Sequence, residues 1–365
     1  MKLLFICTVP TDKNGITNVI FNLLKGFGGD GFEIGYVAIN EPDEFYRKQL
    51  VDLGGELFVI PRKLSNPLSY IYRLANAARG YDIIHVHGNS ATMVLEMIAA
   101  KIAGVPLRIA HSHNTTCSSK IIDRLARPLF YALCNGRLAC GNEAGQWLFR
   151  GRDFMIVKNG VDTSKFRFNQ SLRDLIRKKL GWEGKTIIAN VANFVEAKNH
   201  EFLINVFSEL HKRQPNFRLL LLGIGPLMDK VQQQAKALGV YDYICFAGSI
   251  PNISDYLSAI DLIVMPSTFE GLPLTLVEEQ ANGLKAIVSD VITPDADLTG
   301  NLQFIPLKND INYWVDQILS YQTVVRNEAV SDDCISRIKK AGYDIFFSAN
   351  ELKNFYKTKL INYNE

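Results

Sequence analysis

The chain is expected to fold as an α/β protein made of two successive, mostly parallel sheets, each covered by helices. Three observations lead there. Short apolar strands alternate with helical patterns through the first half, a polar stretch interrupts them, and the alternation then restarts. At 365 residues the chain also exceeds one ordinary core and suits two domains of roughly 150–200 residues.

In the first half, strands are expected at 3–7, 33–38, 57–60, 83–86, 107–110, 138–140 and 155–157, with helices at 16–26, 67–79, 90–103, 119–133 and 142–149. The first apolar run spans about seven residues, breaks at Pro10 and lacks a small-residue cleavage site, so it reads as a buried strand and not a signal peptide. Residues 164–184 are polar and close on a Gly-Trp-Glu-Gly turn, the character of a passage between domains. Strands then follow at 186–191, 218–222, 243–246, 261–265, 285–289 and 302–305. Helices are expected at 199–213, 227–238, 253–259, 273–283, 310–320, 325–340 and 343–357. The expected domains are 1–165 and 166–342, and the cleft between two such units is the default ligand site.

Composition excludes several classes. No window approaches the ~20 apolar residues that cross a bilayer. The six cysteines form no C-x-x-C pair and several sit in apolar runs, which fits free thiols in a reducing cytoplasm and gives no zinc motif. Residues 1–165 carry 19 Lys/Arg against 14 Asp/Glu, and 101–165 alone carry 10 against 4. Lys120, Arg124 and Arg127 share one expected helix, a patch that can face anionic lipid, a phosphate-bearing substrate or only solvent. The charge is diffuse and lacks interleaved aromatics, so nucleic acid is not an expected partner.

Chemistry concentrates at the strand exits, where open α/β sheets bind ligands. Glu270 and Glu278 stand eight positions apart in Pro266-Ser-Thr-Phe-Glu270-Gly-Leu-Pro-Leu-Thr-Leu-Val-Glu278. One is expected in a loop after a strand, the other about two turns into the next helix. Two carboxylates suit the hydroxyl-rich ends of a ligand, while the backbone amides of Gly271, Leu272, Pro273's successor Leu274 and Thr275 at the positive helix end suit phosphates. Glu279 points about 100° away from Glu278 and is expected to face solvent. Lys198 follows a strand and can neutralise phosphate. Gly15, at a helix entry, and Gly225, in Leu222-Gly-Ile-Gly225, each allow either a close ligand approach or an ordinary turn. His85 and His87, and His111 and His113, form two alternate-residue pairs. His85 is expected to satisfy nearby backbone groups; His113, just past its strand, is placed to meet a ligand.

These residues resemble a family. The chain is similar to retaining glycosyltransferases of the glycogen-synthase-like group, glycosyltransferase family 4, with the two-domain GT-B architecture, and most of all to its bacterial capsular and exopolysaccharide branch. The glutamate–seven residues–glutamate signature is the most specific part. Asp82-Ile-Ile-His-Val-His87, Ile109-Ala-His-Ser-His113-Asn, Lys158-Asn-Gly-Val-Asp162, Lys198-Asn-His and Gly223-Ile-Gly-Pro226 follow in the family's order. The resemblance implies that Glu278 holds the donor ribose, Glu270 the donor sugar and Lys198 the diphosphate. It places Gly15 near phosphates and acceptor, and His113 on the transferred sugar. Asn193 stands where the family commonly has an arginine, and Asn14-Gly15 where it commonly has paired glycines.

The implied reaction moves a hexosyl or N-acetylhexosaminyl group from a nucleoside-diphosphate sugar, a UDP-sugar by expectation, to a hydroxyl of a glycan or lipid-linked oligosaccharide, with retention. His113, Lys198 and Glu270 would carry it, with no cofactor and no metal. A last helix, about 343–365, would brace the first domain. The expected location is the cytoplasm, peripheral on the membrane through the N-terminal domain. The alternative reading is a catalytically degenerate nucleotide-sugar-binding or assembly protein, to which Asn193 points.

Overall fold

The computed structural model describes the whole chain except residues 13, 28–30, 62–65, 118, 251, 322–325 and 365, and the side chains of 362–364. The chain divides into two compact units, Met1–Gly160 with Gly342–Glu365, and Val161–Ala341.

The first unit runs β1 (Lys2–Cys7), α1 (Gly15–Phe27), β2 (Glu33–Ala38), α2 (Glu44–Asp52), β3 (Glu56–Val59), α3 (Pro67–Ala77), β4 (Ile83–Gly88), α4 (Val94–Ile102), β5 (Leu107–Ser112), α5 (Lys120–Leu133), β6 (Gly136–Ala139), α6 (Asn142–Phe149) and β7 (Met155–Ile156). Its strands form one parallel sheet in the order β3-β2-β1-β4-β5-β6-β7. Strands buried on both faces read as continuous apolar runs, and Leu3–Cys7 is wholly inaccessible.

The second unit contains α7 (Gln170–Leu180), β8 (Thr186–Val191), α8 (His200–Arg213), β9 (Phe217–Leu222), α9 (Met228–Ala237), β10 (Ile244–Gly248), α10 (Ile253–Ala259), β11 (Leu262–Met265), α11 (Leu274–Ala281), β12 (Ala286–Ser289), β13 (Leu302–Ile305), α12 (Ile311–Ser320) and α13 (Glu328–Lys340). Its parallel sheet has the order β10-β9-β8-β11-β12-β13. In each sheet the order reverses direction once, between β1 and β4 and between β8 and β11. The loops leaving those strands therefore diverge to opposite faces and leave a crevice at the carboxyl edge.

The final helix, α14 (Ile345–Asn364), belongs to the first unit. It lies against α1, where a β-carbon on Gly26 would come within 2.4 Å of Ala349 Cβ, so only glycine admits the contact. Lys353 Nζ donates to Gly26 O at 2.8 Å.

Some elements differ from expectation. The polar stretch 164–184 is largely the helix α7. Its arginines face inward: Arg173 and Arg177 both pair with Asp261, and Ile176 is buried. A helix that turns its charges onto a buried carboxylate looks hydrophilic in sequence. Helix α2 shows only two buried residues, Tyr46 and Leu50, too few for an apolar stripe. Strand β5 extends through Ser112, so His111 lies within it and not after it. Residue 325, expected to open a helix, lies outside the described residues.

Candidate active site

In the second unit the crevice is built from the exits of β8 and β11, which pair through Leu262↔Ile188 and Ile263↔Ala189. Hydrogen bonds join the loops that follow. Thr268 N–H donates to Ala197 O at 2.8 Å, and Asn199 Nδ2 donates to Pro266 O at 3.1 Å. Asn199 sits at φ 55°, a left-handed conformation that asparagine tolerates, and from there the chain enters α8. Lys198 is thereby brought to Glu270, and Nζ pairs with Oε1. Ser267, fully buried, donates from Oγ to the same oxygen at 2.9 Å, and its own carbonyl accepts from Ser289 Oγ at 2.6 Å. Sequence reasoning missed Ser267; its position three residues before the acid in a strand-exit loop was the available signal.

Glu278 sits on α11, little more than one turn from its start at Leu274, not two. Burial pushes its carboxyl up to about 7, opposed by Lys165. Pro273 occupies the cap position, and the first N–H groups of α11 are not claimed by the helix itself. Gly271 is exposed, and Leu272 and Leu274 are half-buried around that terminus.

Glu279 does not face solvent. It is 1 % exposed, and neither carboxylate oxygen has a partner. The 100° step from Glu278 carries it into the helix's inner face beside Gln280, because α11 is buried on more than half its circumference. Burial, then the charge of Glu278, hold its carboxyl well above the usual range.

Asn193 is exposed at the edge of the β8 loop. Gly225 has a structural reason: a β-carbon there would lie 2.5 Å from Phe194 O. Gly223 has φ 145° and would meet Ala192 O at 2.0 Å, so both glycines are set by the backbone of residues 192–194. His200 stacks on Phe194 at 4.1 Å, and burial pushes it down to about 4.

In the first unit, β4 and β5 align His87 with His111 and His85 with Ile109. Alternation puts the histidines on one face, and they form a ladder. Ring centroids of His85 and His87 are 4.2 Å apart, those of His111 and His113 are 4.3 Å apart, and Phe5 covers the first pair. Contrary to the expectation that it would satisfy backbone groups, His85 bonds other side chains. Its Nδ1 bonds Tyr356 Oη of α14 at 2.6 Å and its Nε2 bonds His111 Nδ1 at 3.1 Å. His87 Nδ1 bonds His113 Nε2 at 2.8 Å. His113 is half-buried at the edge of the ladder. Burial holds all four rings well below the ordinary imidazole range, His113 at about 3. Nitrogens of His85, His87 and His111 lie within 4.8 Å of one another. The His85–His111 bond occupies two of their ring nitrogens. Gly15 is exposed at the start of α1, with open space where a β-carbon would stand.

Helix α5 corrects one member of the basic patch. Arg127 is buried and paired with Asp123 at 2.7 Å. The outward face carries Lys120 and Arg124 among Ile121, Ile122, Leu125 and Leu129, which are 78, 55, 77 and 50 % exposed. Among the described residues no helix is long and apolar enough to cross a membrane.

Two parallel sheets of Rossmann type, each with a switch point at its carboxyl edge, are the architecture of GT-B glycosyltransferases. Two family models match: Glycosyltransferase Family 4 over residues 13–165 and Glycosyl transferases group 1 over residues 173–321. EpsF of Bacillus subtilis, by name a glycosyltransferase, is 31 % identical over 94 % of both chains. The chain belongs to glycosyltransferase family 4, related to exopolysaccharide enzymes. It is also 25 % identical to an Escherichia coli UDP-Gal:α-D-GlcNAc-diphosphoundecaprenol α-1,3-galactosyltransferase, over 80 % of this chain and 79 % of that one. Among solved structures it resembles Anabaena HepE in complex with UDP, with TM-score 0.78 and 17 % identity, covering 98 % of this chain and 100 % of that one.

Proposed function

We propose that the protein transfers a hexosyl or N-acetylhexosaminyl group from a UDP-sugar to a hydroxyl of a lipid-linked glycan, with retention of anomeric configuration. The observation that carries this reading is the pairing of Lys198 with Glu270 at the β8/β11 switch point, beside a second acid on α11. The named substrate of the Escherichia coli relative and the UDP in the HepE complex support the donor and acceptor classes.

The chemistry follows from charge. Breaking the bond between anomeric carbon and diphosphate oxygen builds negative charge on the leaving group. Lys198 and the amides of Gly271, Leu272, Leu274 and Thr275 meet that charge, in a position fixed before the reaction. Lys198 pairs with Glu270, so donor binding exchanges one anionic partner for another. Glu270 then accepts from hydroxyls of the sugar, Glu278 from those of the ribose. The departing diphosphate oxygen takes the acceptor's proton on the face that the acceptor attacks, and His113 orients the sugar. Asn193 supplies a hydrogen bond where an arginine would supply charge, which leaves Lys198 the larger share. No step in this scheme requires a metal or a cofactor.

The α5 face supports peripheral attachment to the cytoplasmic side of a membrane. Four exposed aliphatic side chains flanked by two cations suit the interface of an anionic bilayer. The test of function is a donor panel followed by transfer to polyprenyl-diphosphate oligosaccharides. Transfer from one UDP-sugar that is lost in Lys198→Ala supports the reading; tight donor binding with neither transfer nor sugar release would instead indicate a degenerate donor-binding protein.

A further inference from the structure

The histidine ladder contains more order than packing requires. Between His87 Nδ1 and His113 Nε2, 2.8 Å apart, lies one hydrogen bond and therefore one proton. Two arrangements are open to neutral rings. In one, His113 carries its proton on Nε2 and donates to His87, whose own proton then sits on Nε2. In the other, His87 Nδ1–H donates to His113 Nε2, and His113 carries its proton on Nδ1.

The far side of His87 chooses between them. Its Nε2 is buried and has no hydrogen-bond partner. The first arrangement leaves a buried N–H without an acceptor; the second leaves only a bare lone pair. Orphaned buried N–H groups are the rarer and costlier defect, at roughly 1–3 kcal/mol. His111 repeats the pattern: its Nε2 is also buried without a partner, while its Nδ1 engages His85 Nε2 at 3.1 Å. There the rule does not choose, because His85 Nδ1–H donating to Tyr356 Oη at 2.6 Å would leave the buried phenol O–H as the orphaned donor in place of His111 Nε2–H. The Nδ1–H tautomer is thus assigned to His87 and His113, whose bond is separate from the run through His111, His85 and Tyr356. Burial keeps the rings neutral, so none escapes the choice by carrying both protons.

We infer that His87 is a positioning residue that fixes His113 in the Nδ1–H tautomer, so that His113 offers its ligand a hydrogen-bond donor and not a base. A donor at that edge fits an oxygen lone pair, such as a sugar hydroxyl or ring oxygen. The ligand's identity rests on the proposed function; the tautomer does not.

The test is long-range ¹H–¹⁵N correlation spectroscopy of the full chain labelled in histidine, without ligand, near pH 7.5. Single histidine variants assign the signals. The expected result is a protonated Nδ1 and a bare Nε2 for both His87 and His113. His87→Phe should let His113 populate the Nε2–H form and lower kcat roughly tenfold with little change in KM. His87→Asn, whose amide can replace the Nδ1–H donor, should restore the tautomer and most of the rate. Tyr356→Phe should leave the His113 signals in place. A His113 protonated on Nε2 in the unmodified protein overturns the inference, as does a tautomer unmoved by His87→Phe. If His87→Phe does not fold, the spectrum of the unmodified chain decides alone. The inferred tautomer in a protein that transfers no sugar would sink the proposed function and leave the ladder's assignment standing.

Discussion

The pH dependence of donor binding isolates Glu278. Its carboxyl is pushed up to about 7 by burial. Binding a ribose needs an acceptor of two hydroxyl protons, which the carboxylate provides fully and the neutral acid only in part. Affinity should therefore fall as pH drops through 7. Between pH 8 and pH 6 the ionised fraction falls from about nine-tenths to about one-tenth, so the apparent Kd should rise about tenfold, or about 1.4 kcal/mol. His113 and His200 do not titrate in this window, because burial takes them to about 3 and about 4. The diphosphate of a UDP-sugar does not titrate in this range, which makes it a cleaner probe than UDP. Titration calorimetry at half-unit steps, repeated with Glu278→Gln, gives the answer. The variant should bind weakly and with a flat profile. A flat profile in the unmodified protein, or the same slope in the variant, would refute the assignment and point to Glu279 or to no titrating acid at all.

Other expectations are as specific. Glu279→Met replaces a buried, unpartnered carboxyl with a side chain of similar volume and should stabilise the second unit by about 1–3 kcal/mol, seen as a raised Tm; a lowered Tm would mean that the acid has a partner in solution. Asp123→Ala should cost about 3–5 kcal/mol, because it strands the buried charge of Arg127, and urea unfolding measures it. The four ladder histidines have folded values below their unfolded ones, so the unfolded chain takes up protons first as pH falls below about 6.5. Stability is thus complete above that pH and lost below it, at up to about 1.4 kcal/mol per ring per pH unit. A Tm that stays level from pH 7 to pH 5 would contradict the burial described. Leu125→Glu on α5 should weaken binding to anionic vesicles in a flotation assay without lowering Tm; equal flotation would remove α5 as the contact.

What the sequence revealed and concealed follows from how each signal is encoded. The two sheets were legible because a parallel strand is apolar on both faces, and eight-residue spacing located both acids of the crevice. Helix α7 was concealed because its arginines point inward to Asp261, which hydropathy counts as surface. Arg127 was concealed in the same way by Asp123. Glu279 shows the converse: an acid next to Glu278 reads as solvent-facing, and only the buried circumference of α11 reveals that it faces inward. The histidine pairs were visible as pairs. That they join into one ladder depends on the β4–β5 register and on Tyr356, some 270 residues away.

The central claim is retaining transfer of a sugar from UDP, and the anomeric configuration of the first-formed product tests it most directly. Proton NMR of the newly made linkage, recorded early with the donor that the panel selects, should show the donor's own configuration, and Lys198→Ala should abolish the signal. An inverted linkage, or a signal of the same size in the Lys198 variant, would contradict the account.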